Sequence, residues 1–410
     1  MARTSLAAWE ATDERTVTFT LSQPDVLFLD YLASLGSTPL SPDSLEADSV
    51  RSGGPALAGT GPFTITAYQQ GSSLSLACRK DYAWAPEALT GRQGAAHLDG
   101  IEVSFLPEAA TRTGALQSGQ VDIIDGVPAQ NVASLDGVGG ISYEEVLNAG
   151  TPYTLYLNVS KAPFDDLRVR QAFQHAVDLS AIVENIYYGT AQRAWSAISP
   201  TSPFYDEALT DTSITFDADA ANALLDEAGW TGRDSAGFRT KDGRRLTARL
   251  VSGAPYVRDS RDTLNLAISD AMKQNVAVEY LFQPVDSGTE DERADANDYE
   301  VFDNTYNASD VATSLDLLYN SDPAKGVIAR GRYDDAQLDD WLNTARGTTD
   351  TSQRQGIYTR FQTYVVDTQA YTVPLYVPRN SVAYGSTVHG VLTDPGSGTT
   401  FSAYNVWLEQ

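Results

Sequence analysis

The stretch that decides the fold is Asn158–Ala172, which reads NVSKAPFDDLRVRQA. Pro163 restricts the backbone to a turn, and either of the two aspartates that follow can accept the free amides at the start of a helix. The chain continues as FQHAVDLSAIVENIYYG to Gly189, with apolar residues at the 3.6-residue spacing of an amphipathic helix. Asp178 lies within this pattern and can divide it into two helices.

Outward from this stretch, strand and helix patterns alternate along the whole chain. Strands are predicted within 13–24 and at 63–69, 73–79, 101–106, 153–159, 245–251, 276–282 and 371–377. Helices are predicted at 25–36, within 107–127, and at 165–189, 217–230, 259–274, 334–346 and 351–367. The acidic stretch 287–298 is predicted to be a solvated loop. Interleaved strands and helices indicate a mixed α/β fold.

Length and charge narrow the classes of protein further. The chain has 410 residues, more than one hydrophobic core usually organises, so two lobes are expected. It carries 28 Lys and Arg against 54 Asp and Glu, a net charge of −26. Because neutralising phosphates requires clustered cations, this balance argues against a nucleic-acid partner.

The residues that usually carry catalysis are few. Cys78 is the single cysteine, in an alternating stretch that predicts a half-buried strand thiol. The three histidines, His97, His175 and His389, lack metal-ligand spacing, and we expect His175 to be a hydrogen-bonded structural residue. No nucleophile motif or phosphate-binding loop is present, and no cofactor or metal is expected. The 21 Tyr and 6 Trp are more informative about function than these residues, because aromatic side chains line many ligand-binding sites.

The first residues are where an export signal is expected. The first residues, MARTSLAAWEATDERT, lack an apolar run of about 7–15 residues and do not read as a signal peptide. No segment reaches the roughly 18 consecutive apolar residues that a membrane span requires. We therefore expect a soluble body, either cytoplasmic or exported with a signal that this chain does not contain.

Several segments, in this order, match a known pattern. They are GTGPF (59–63), RKDYAW (79–84), TRTGALQSGQVDI (111–123), the stretch 155–200 around PFDDLRVRQA, and 354–384 near the carboxyl terminus. Together they resemble the extracellular solute-binding proteins of family 5, the receptors of peptide- and nickel-type ABC importers. The motifs PFDD and GTGP are explained by their effect on the backbone and are not assigned ligand contacts. Arg168 and Arg170 could form ion pairs with Asp165 or Asp166.

The resemblance implies an α/β fold of two lobes, the Venus-flytrap or type II periplasmic-binding-protein fold of cluster C, with mixed sheets in each lobe. Lobe I would comprise 1–155 plus 376–410, and lobe III would comprise 156–375, with crossovers near 156–158 and 374–377. Family members carry a long stretch before the strand that begins here at Thr16. The resemblance therefore predicts a chain without an export signal and with a shortened lobe I.

The resemblance also suggests ligand-binding residues. The segment 298–322 is similar to the region that holds the ligand's α-ammonium group in peptide-binding members, and Asp310 is its nearest match. The candidate ligand-binding residues are Asp310, Tyr306, Asn307, Ser309, Trp195 and Tyr153. A carboxylate opposite an ammonium group forms a strong charge-assisted bond. For a sugar ligand, Asp310 would instead accept hydroxyl hydrogen bonds.

The function implied is that of a non-catalytic receptor. It would capture an oligopeptide between two lobes by hinge closure and deliver it to the permease subunits of an importer. A receptor of the same fold for an oligosaccharide or a metal chelate is the alternative, and an enzyme or sensor on this scaffold is a third. The resemblance places the protein outside the cytoplasm, in the periplasm or as a surface lipoprotein, and a monomer is expected.

Overall fold

The computed structural model describes residues 5–46, 49–136, 139–209, 214–394, 396 and 402–409. Within them, the strands are β1 Leu6–Ala11, β2 Val17–Leu21, β3 Phe63–Gln69, β4 Ser73–Cys78, β5 Gly100–Ser104, β6 Ile123–Asp125, β7 Ile141–Leu147, β8 Tyr153–Leu157, β9 Gln192–Arg193, β10 Gly232–Arg233, β11 Arg239–Lys241, β12 Arg244–Arg245, β13 Thr247–Gly253, β14 Glu279–Val285, β15 Val301–Asn304, β16 Thr372–Val377, β17 Arg379–Gly385, β18 Val388–His389 and β19 Trp407–Leu408.

Helices alternate with these strands. They are α1 Phe28–Ala33, α2 Pro42–Glu46, α3 Ser49–Ser52, α4 Glu87–Thr90, α5 Ala109–Gln117, α6 Ala129–Asp136, α7 Leu167–His175, α8 Leu179–Tyr187, α9 Ala218–Glu227, α10 Arg261–Val276, α11 Ser287–Asp295, α12 Val311–Tyr319, α13 Ala336–Gly347 and α14 Thr351–Thr363. A π-helical turn, Tyr364–Thr368, follows α14. The predicted α/β class is confirmed.

The chain divides into two compact units. Unit 1 is Met1–Phe28 with Leu147–Pro378, and unit 2 is Leu29–Val146 with Arg379–Gln410. These limits differ from the predicted lobes, which placed residues 1–28 with the residues of unit 2. A buried ion pair explains the difference, because Asp25 bonds to Arg346 at 2.8 Å and so joins the first residues to α13.

Unit 1 is built on a six-stranded mixed sheet in the order β14-β13-β15-β8-β16-β9. β13 runs parallel to β14 and β15, whereas β8 runs antiparallel to β15 and β16. Every residue of β8 and β16 is buried, so neither strand shows the alternation of a half-exposed strand. Val169, Phe173, Leu225 and Met272, from three helices, line one apolar cavity with Ala248 of β13.

Side-chain caps explain why the helices of unit 1 begin where they do. Asp166 accepts the amide of Arg168 at the start of α7, and Asp178 accepts that of Ala181 at the start of α8. The predicted division at Asp178 is thus confirmed. Asp217, the first residue of the predicted helix 217–230, caps α9 in the same way.

Unit 2 contains three small sheets, β3-β4-β5, β6-β17-β7 and β18-β19. β17 follows the second passage of the chain into this unit, and it pairs with β6 near Ile124 and Ala383. These two residues belong to one core cluster with Leu116 and Leu135. Cys78, at the end of β4, is half-buried and free, as predicted.

Three local predictions are wrong. Residues 287–295 form helix α11 and not a solvated loop, because Asp286 caps them by accepting the amide of Thr289 at 3.1 Å. Strand β2 forms as predicted, but Val17–Thr20 are exposed because β2 pairs with β1 in a two-stranded hairpin, whereas the alternation of Val17, Phe19 and Leu21 with polar residues predicts a half-buried strand. Arg170 does not pair with an aspartate; it is buried and donates to the carbonyl oxygens of Gln369 and Phe164.

Candidate functional site

The order of strands in unit 1 identifies a candidate ligand-binding edge, formed by the carboxyl ends of the parallel strands. From β13 the chain passes through α10 to β14 on one side, and then through α11 to β15 on the other side of β13. Ligands of open α/β sheets bind outside the carboxyl ends of parallel strands where the order reverses in this way. The segments 254–260 and 305–310, which follow β13 and β15, are therefore the candidate ligand-binding edge.

The segment after β15 is held rigidly against the chain that enters β8. The Thr151 amide donates to the Tyr306 carbonyl at 3.0 Å, and the Tyr306 amide donates to the Thr151 hydroxyl at 2.9 Å. Gly150 lies so close that an added Cβ would be 2.0 Å from the Tyr306 carbonyl oxygen, and its φ is +100°. Only glycine combines this approach with this backbone conformation.

Asp310 occupies the start of α12 and has two partners. Its Oδ1 accepts the Ala312 amide at 2.9 Å, so it is the N-cap of the helix. Arg354 from α14 contacts both carboxylate oxygens, at 2.6 and 2.7 Å. The guanidinium lies 4.6 Å from the ring of Phe204. Asp310 therefore already has a cation, which a ligand ammonium group would have to share or replace.

Tyr306, Asn307 and Ser309 lie beside Asp310 in the same anchored segment. Tyr306 and Asn307 are half-buried and Ser309 is exposed. Within the described parts of the chain, the side-chain amide of Asn307 and the hydroxyl of Ser309 form no hydrogen bond. Both groups are therefore free to bind a polar ligand.

Trp195 is half-buried and contacts the guanidinium group of Arg193. The Arg193 guanidinium is 4.7 Å from the Trp195 ring and donates to the Pro374 carbonyl at 2.5 Å. Burial lowers the pKa of Arg193 to about 9. The next residue, Ser196, donates to Gln362 at 2.7 Å.

This Gln362 side chain connects the two halves of the site. It also donates to the Phe204 carbonyl at 2.9 Å, and the Phe204 ring lies against Arg354. Through these contacts the structure brings the Trp195 segment and Asp310 into one network of unit 1.

Tyr153 belongs to a buried polar cluster beneath the same edge. Its exposed fraction is 0%, and its hydroxyl donates to Asp303. Ser252 donates to the same carboxylate at 3.0 Å, and the Arg261 guanidinium lies 4.1 Å from the Tyr153 ring. Burial raises the pKa of Asp303. Tyr153 thus supports the edge from within the core and does not line it in this conformation.

One aromatic residue at this edge is absent from the sequence prediction. Tyr256 ends the 3-10 turn after β13, and 59% of its surface is exposed. Asp259 and Ser260, three and four residues on, have φ of +54° and +56°, which is strained for residues other than glycine. The pattern Gly-Ala-Pro-Tyr directly after an apolar strand is the sequence signal that could have found Tyr256.

Comparisons with known proteins identify one protein family. Residues 2–326 match the model of the bacterial extracellular solute-binding proteins, family 5 Middle. A dipeptide-binding protein of Pseudomonas aeruginosa is 27% identical over 407 residues, which are 97% of this chain and 71% of that protein.

Two solved structures match almost the whole chain. NikA from Brucella suis, in complex with Fe(III)-EDTA, has a TM-score of 0.80 at 21% identity and covers 99% of this chain and 79% of its own. DppA from Helicobacter pylori, in complex with the peptide STSA, has a TM-score of 0.79 at 22% identity. The match covers 99% of this chain and 74% of the Helicobacter chain. At these identities the likeness shows the fold, that of the two-lobe periplasmic binding proteins.

Membrane-spanning helices and clustered metal ligands are both absent from the described residues. No described helix is both long enough and apolar enough to span a bilayer. No group of three or more His, Cys, Asp or Glu side chains in the described ranges could hold a metal ion.

Proposed function

Because the chain belongs to the bacterial extracellular solute-binding proteins of family 5, we propose that it is the receptor that captures an oligopeptide for an ABC importer. The observation that carries this proposal is the anchored segment 305–310. It presents the free polar groups of Asn307 and Ser309 at the carboxyl end of β15, where the strand order reverses. Such groups suit the backbone amides and carbonyls of a peptide.

Capture would use closure of two lobes about the passages between them. The chain passes between its two compact units after Phe28, Val146 and Pro378. Gly150 and Thr151, whose amide bonds to the Tyr306 carbonyl, lie directly after the second passage. A ligand held by this segment would therefore act close to the hinge and shift the population toward a closed state.

The receptor works without chemistry on its ligand, since its family consists of substrate-binding proteins and not of enzymes. It acts outside the cytoplasm, as periplasmic family members do, and as a monomer that presents the closed form to permease subunits. We infer oligopeptides as the ligands because the Pseudomonas relative binds dipeptides and the Helicobacter protein holds a tetrapeptide.

Asp310 is proposed to receive the ammonium group of the peptide, sharing its carboxylate with Arg354. The experiment is a thermal-shift screen of di- to hexapeptides, each tested free and N-acetylated. We expect free peptides to raise the melting temperature and acetylated peptides to raise it less. If both bind equally well, the ammonium contact is wrong.

Variants identify the residues that bind the peptide. Asn307→Ala and Ser309→Ala should reduce the peptide-induced shift and leave the melting temperature without peptide unchanged, because neither side chain has a partner among the described residues. Ser235→Ala, an exposed serine in the turn between β10 and β11, is the matched control. Equal peptide affinity in all three variants would remove the segment 305–310 from the site.

A metal chelate is the second candidate ligand, because the Brucella structure of the same fold contains Fe(III)-EDTA. Adding Fe(III)-EDTA, nickel–histidine and cello-oligosaccharides to the thermal-shift screen separates these classes from peptides. A shift with a chelate and none with peptides would replace the peptide proposal. Conversion of a ligand to product would replace the receptor with an enzyme.

A further inference from the structure

A carboxylate and an exposed aromatic ring meet at the candidate ligand-binding edge, at the end of β13. An added Cβ at Gly253, the last residue of β13, would overlap a carboxylate oxygen of Glu290 and would lie 3.0 Å from the ring of Tyr256. Glu290 therefore reaches this point from α11, and Tyr256 reaches it from the turn after β13. The absence of a side chain at Gly253 leaves room for both.

This point adjoins the anchored segment 305–310. The register places Val251 of β13 opposite Phe302 of the neighbouring strand β15, so the two strands end at the same edge. Neighbouring strands of a sheet are about 4.8 Å apart. A peptide bound along the segment 305–310 can therefore extend one of its side chains to Glu290 and Tyr256.

The backbone of Tyr256 is fixed, whereas its ring is available. Arg261, which is 3% exposed, donates from its guanidinium to the Tyr256 carbonyl at 3.1 Å. The Tyr187 hydroxyl donates to the Asp259 carbonyl in the same turn, at 2.7 Å. The Tyr256 ring itself contacts no other aromatic ring and no cation within the described ranges, and 59% of the surface of this residue is exposed.

Glu290 is a half-buried carboxylate without a cation of its own. No ion pair among the described residues includes it, since the nearby Arg330 lies 3.7 Å from Asp291 and 3.9 Å from Asp295 instead. Burial, together with the charge of Asp303, raises the pKa of Glu290. A cation bound beside Glu290 would lower that pKa, so this carboxylate favours a cation supplied from outside the chain.

From this geometry we propose that Glu290 and Tyr256 form a subsite for a cationic side chain of the bound peptide, so that the receptor selects ligands that contain lysine or arginine. The cationic group donates to the Glu290 carboxylate and lies against the face of the Tyr256 ring. The net charge of −26 attracts such ligands from solution. This inference rests on the proposed function and names the substrate class within it.

Isothermal titration calorimetry with matched tripeptides tests the proposal. Lysine or norleucine is placed at each position of trialanine, because the two side chains have a similar length and only lysine carries a charge. At one position we expect the lysine peptide to bind at least about tenfold more tightly than its norleucine counterpart. Glu290→Gln should reduce this preference to less than about threefold and leave the affinity for the norleucine peptide unchanged.

Two further changes separate the subsite from general electrostatics. Tyr256→Ala should reduce the lysine preference, and Tyr256→Phe should retain it, because the aromatic face and not the hydroxyl contacts the cation. Glu292→Gln is the matched control, since Glu292 is an exposed residue of the same helix and its change removes the same charge. This control should keep the preference of the parent protein.

Three results would overturn the inference. Equal affinities for lysine and norleucine peptides in the parent protein would remove the subsite and leave the peptide receptor in place, and this result depends on no variant. An equal loss of preference in Glu290→Gln and Glu292→Gln would show that net charge selects the ligand. Failure of every tripeptide to bind would overturn the proposed function and this inference with it.

Discussion

At the scale of residues, buried carboxylates with defined cationic partners organise unit 1. Asp310 pairs with Arg354 in α14, and Asp25 and Asp316 share Arg346 of α13. Each pair joins segments that are distant in sequence. Removing one member of such a pair leaves a buried charge without its partner, which costs more than the pair itself contributes.

Asp310→Ala should therefore destabilise the protein as well as affect peptide binding. We expect a loss of about 3 kcal/mol in the free energy of unfolding, because Arg354 loses its carboxylate and α12 loses its cap. Urea denaturation measures this loss. The double variant Asp310→Ala/Arg354→Met should be less destabilised than the sum of the two single variants. Strict additivity would mean that the two side chains do not interact.

The Asp25–Arg346 pair predicts a pH dependence. Burial opposes ionisation of Asp25, but the hydrogen bonds and charge of Arg346 outweigh it and lower the pKa of Asp25. The stabilisation by ionised Asp25 is therefore present above about pH 4 and is lost as the pH falls through the lowered pKa.

Urea unfolding between pH 7 and pH 3 checks this expectation. Asp25→Asn should be less stable than the parent protein at pH 7, and the difference should shrink toward pH 3. Glu10→Gln, an exposed carboxylate on β1, is the control for removing one negative charge. A difference that stays constant with pH would contradict the assignment.

At the scale of elements, the junction between the entry to β8 and the segment after β15 positions the candidate site. One backbone bond and one bond to the Thr151 hydroxyl join Thr151 to Tyr306, and Gly150 supplies the close approach that they require. Ser202 donates to the Gly150 carbonyl from a third segment. Several hydrogen bonds therefore converge on this junction, and the hydroxyls of Thr151, Thr305 and Ser202 add to the backbone bond between Thr151 and Tyr306.

Gly150→Ala should break this junction. The added Cβ would lie 2.0 Å from the Tyr306 carbonyl oxygen at a φ of +100°, so we expect a loss of more than about 2 kcal/mol in unfolding free energy and a loss of peptide binding. Gly237→Ala is the matched control, since φ there is +86° with no atom within 4 Å. It should cost about 1 kcal/mol and leave binding intact. Equal effects of the two variants would show that backbone strain alone is responsible.

At the scale of the whole molecule, the family and the two compact units suggest a receptor that closes on its ligand. The net charge of −26 keeps the protein solvated and repels other acidic surfaces. The exposed cations of the β10–β12 sheet are the local exception to this charge.

Closure predicts a change in dimensions. Addition of a binding peptide should reduce the radius of gyration measured by small-angle scattering, and at 100-fold excess over Kd it should stabilise the protein by about 2.7 kcal/mol. Asn307→Ala should require more peptide to reach the same radius. A peptide that stabilises the protein without changing the radius would mean that binding occurs without closure.

The sequence by itself determined the α/β class, the family and the starts of α7, α8 and α9. The helix starts depend on residues two or three positions apart, as when Asp178 accepts the amide of Ala181, and the class and family depend on the order of local patterns along the chain. Only the tertiary structure decided that Asp310 faces Arg354, 44 residues away, that Tyr153 is buried against Asp303, and that Tyr256 is exposed at the site. These relations arise from how helices and strands pack, and no local pattern in the chain encodes which distant side chain will meet another.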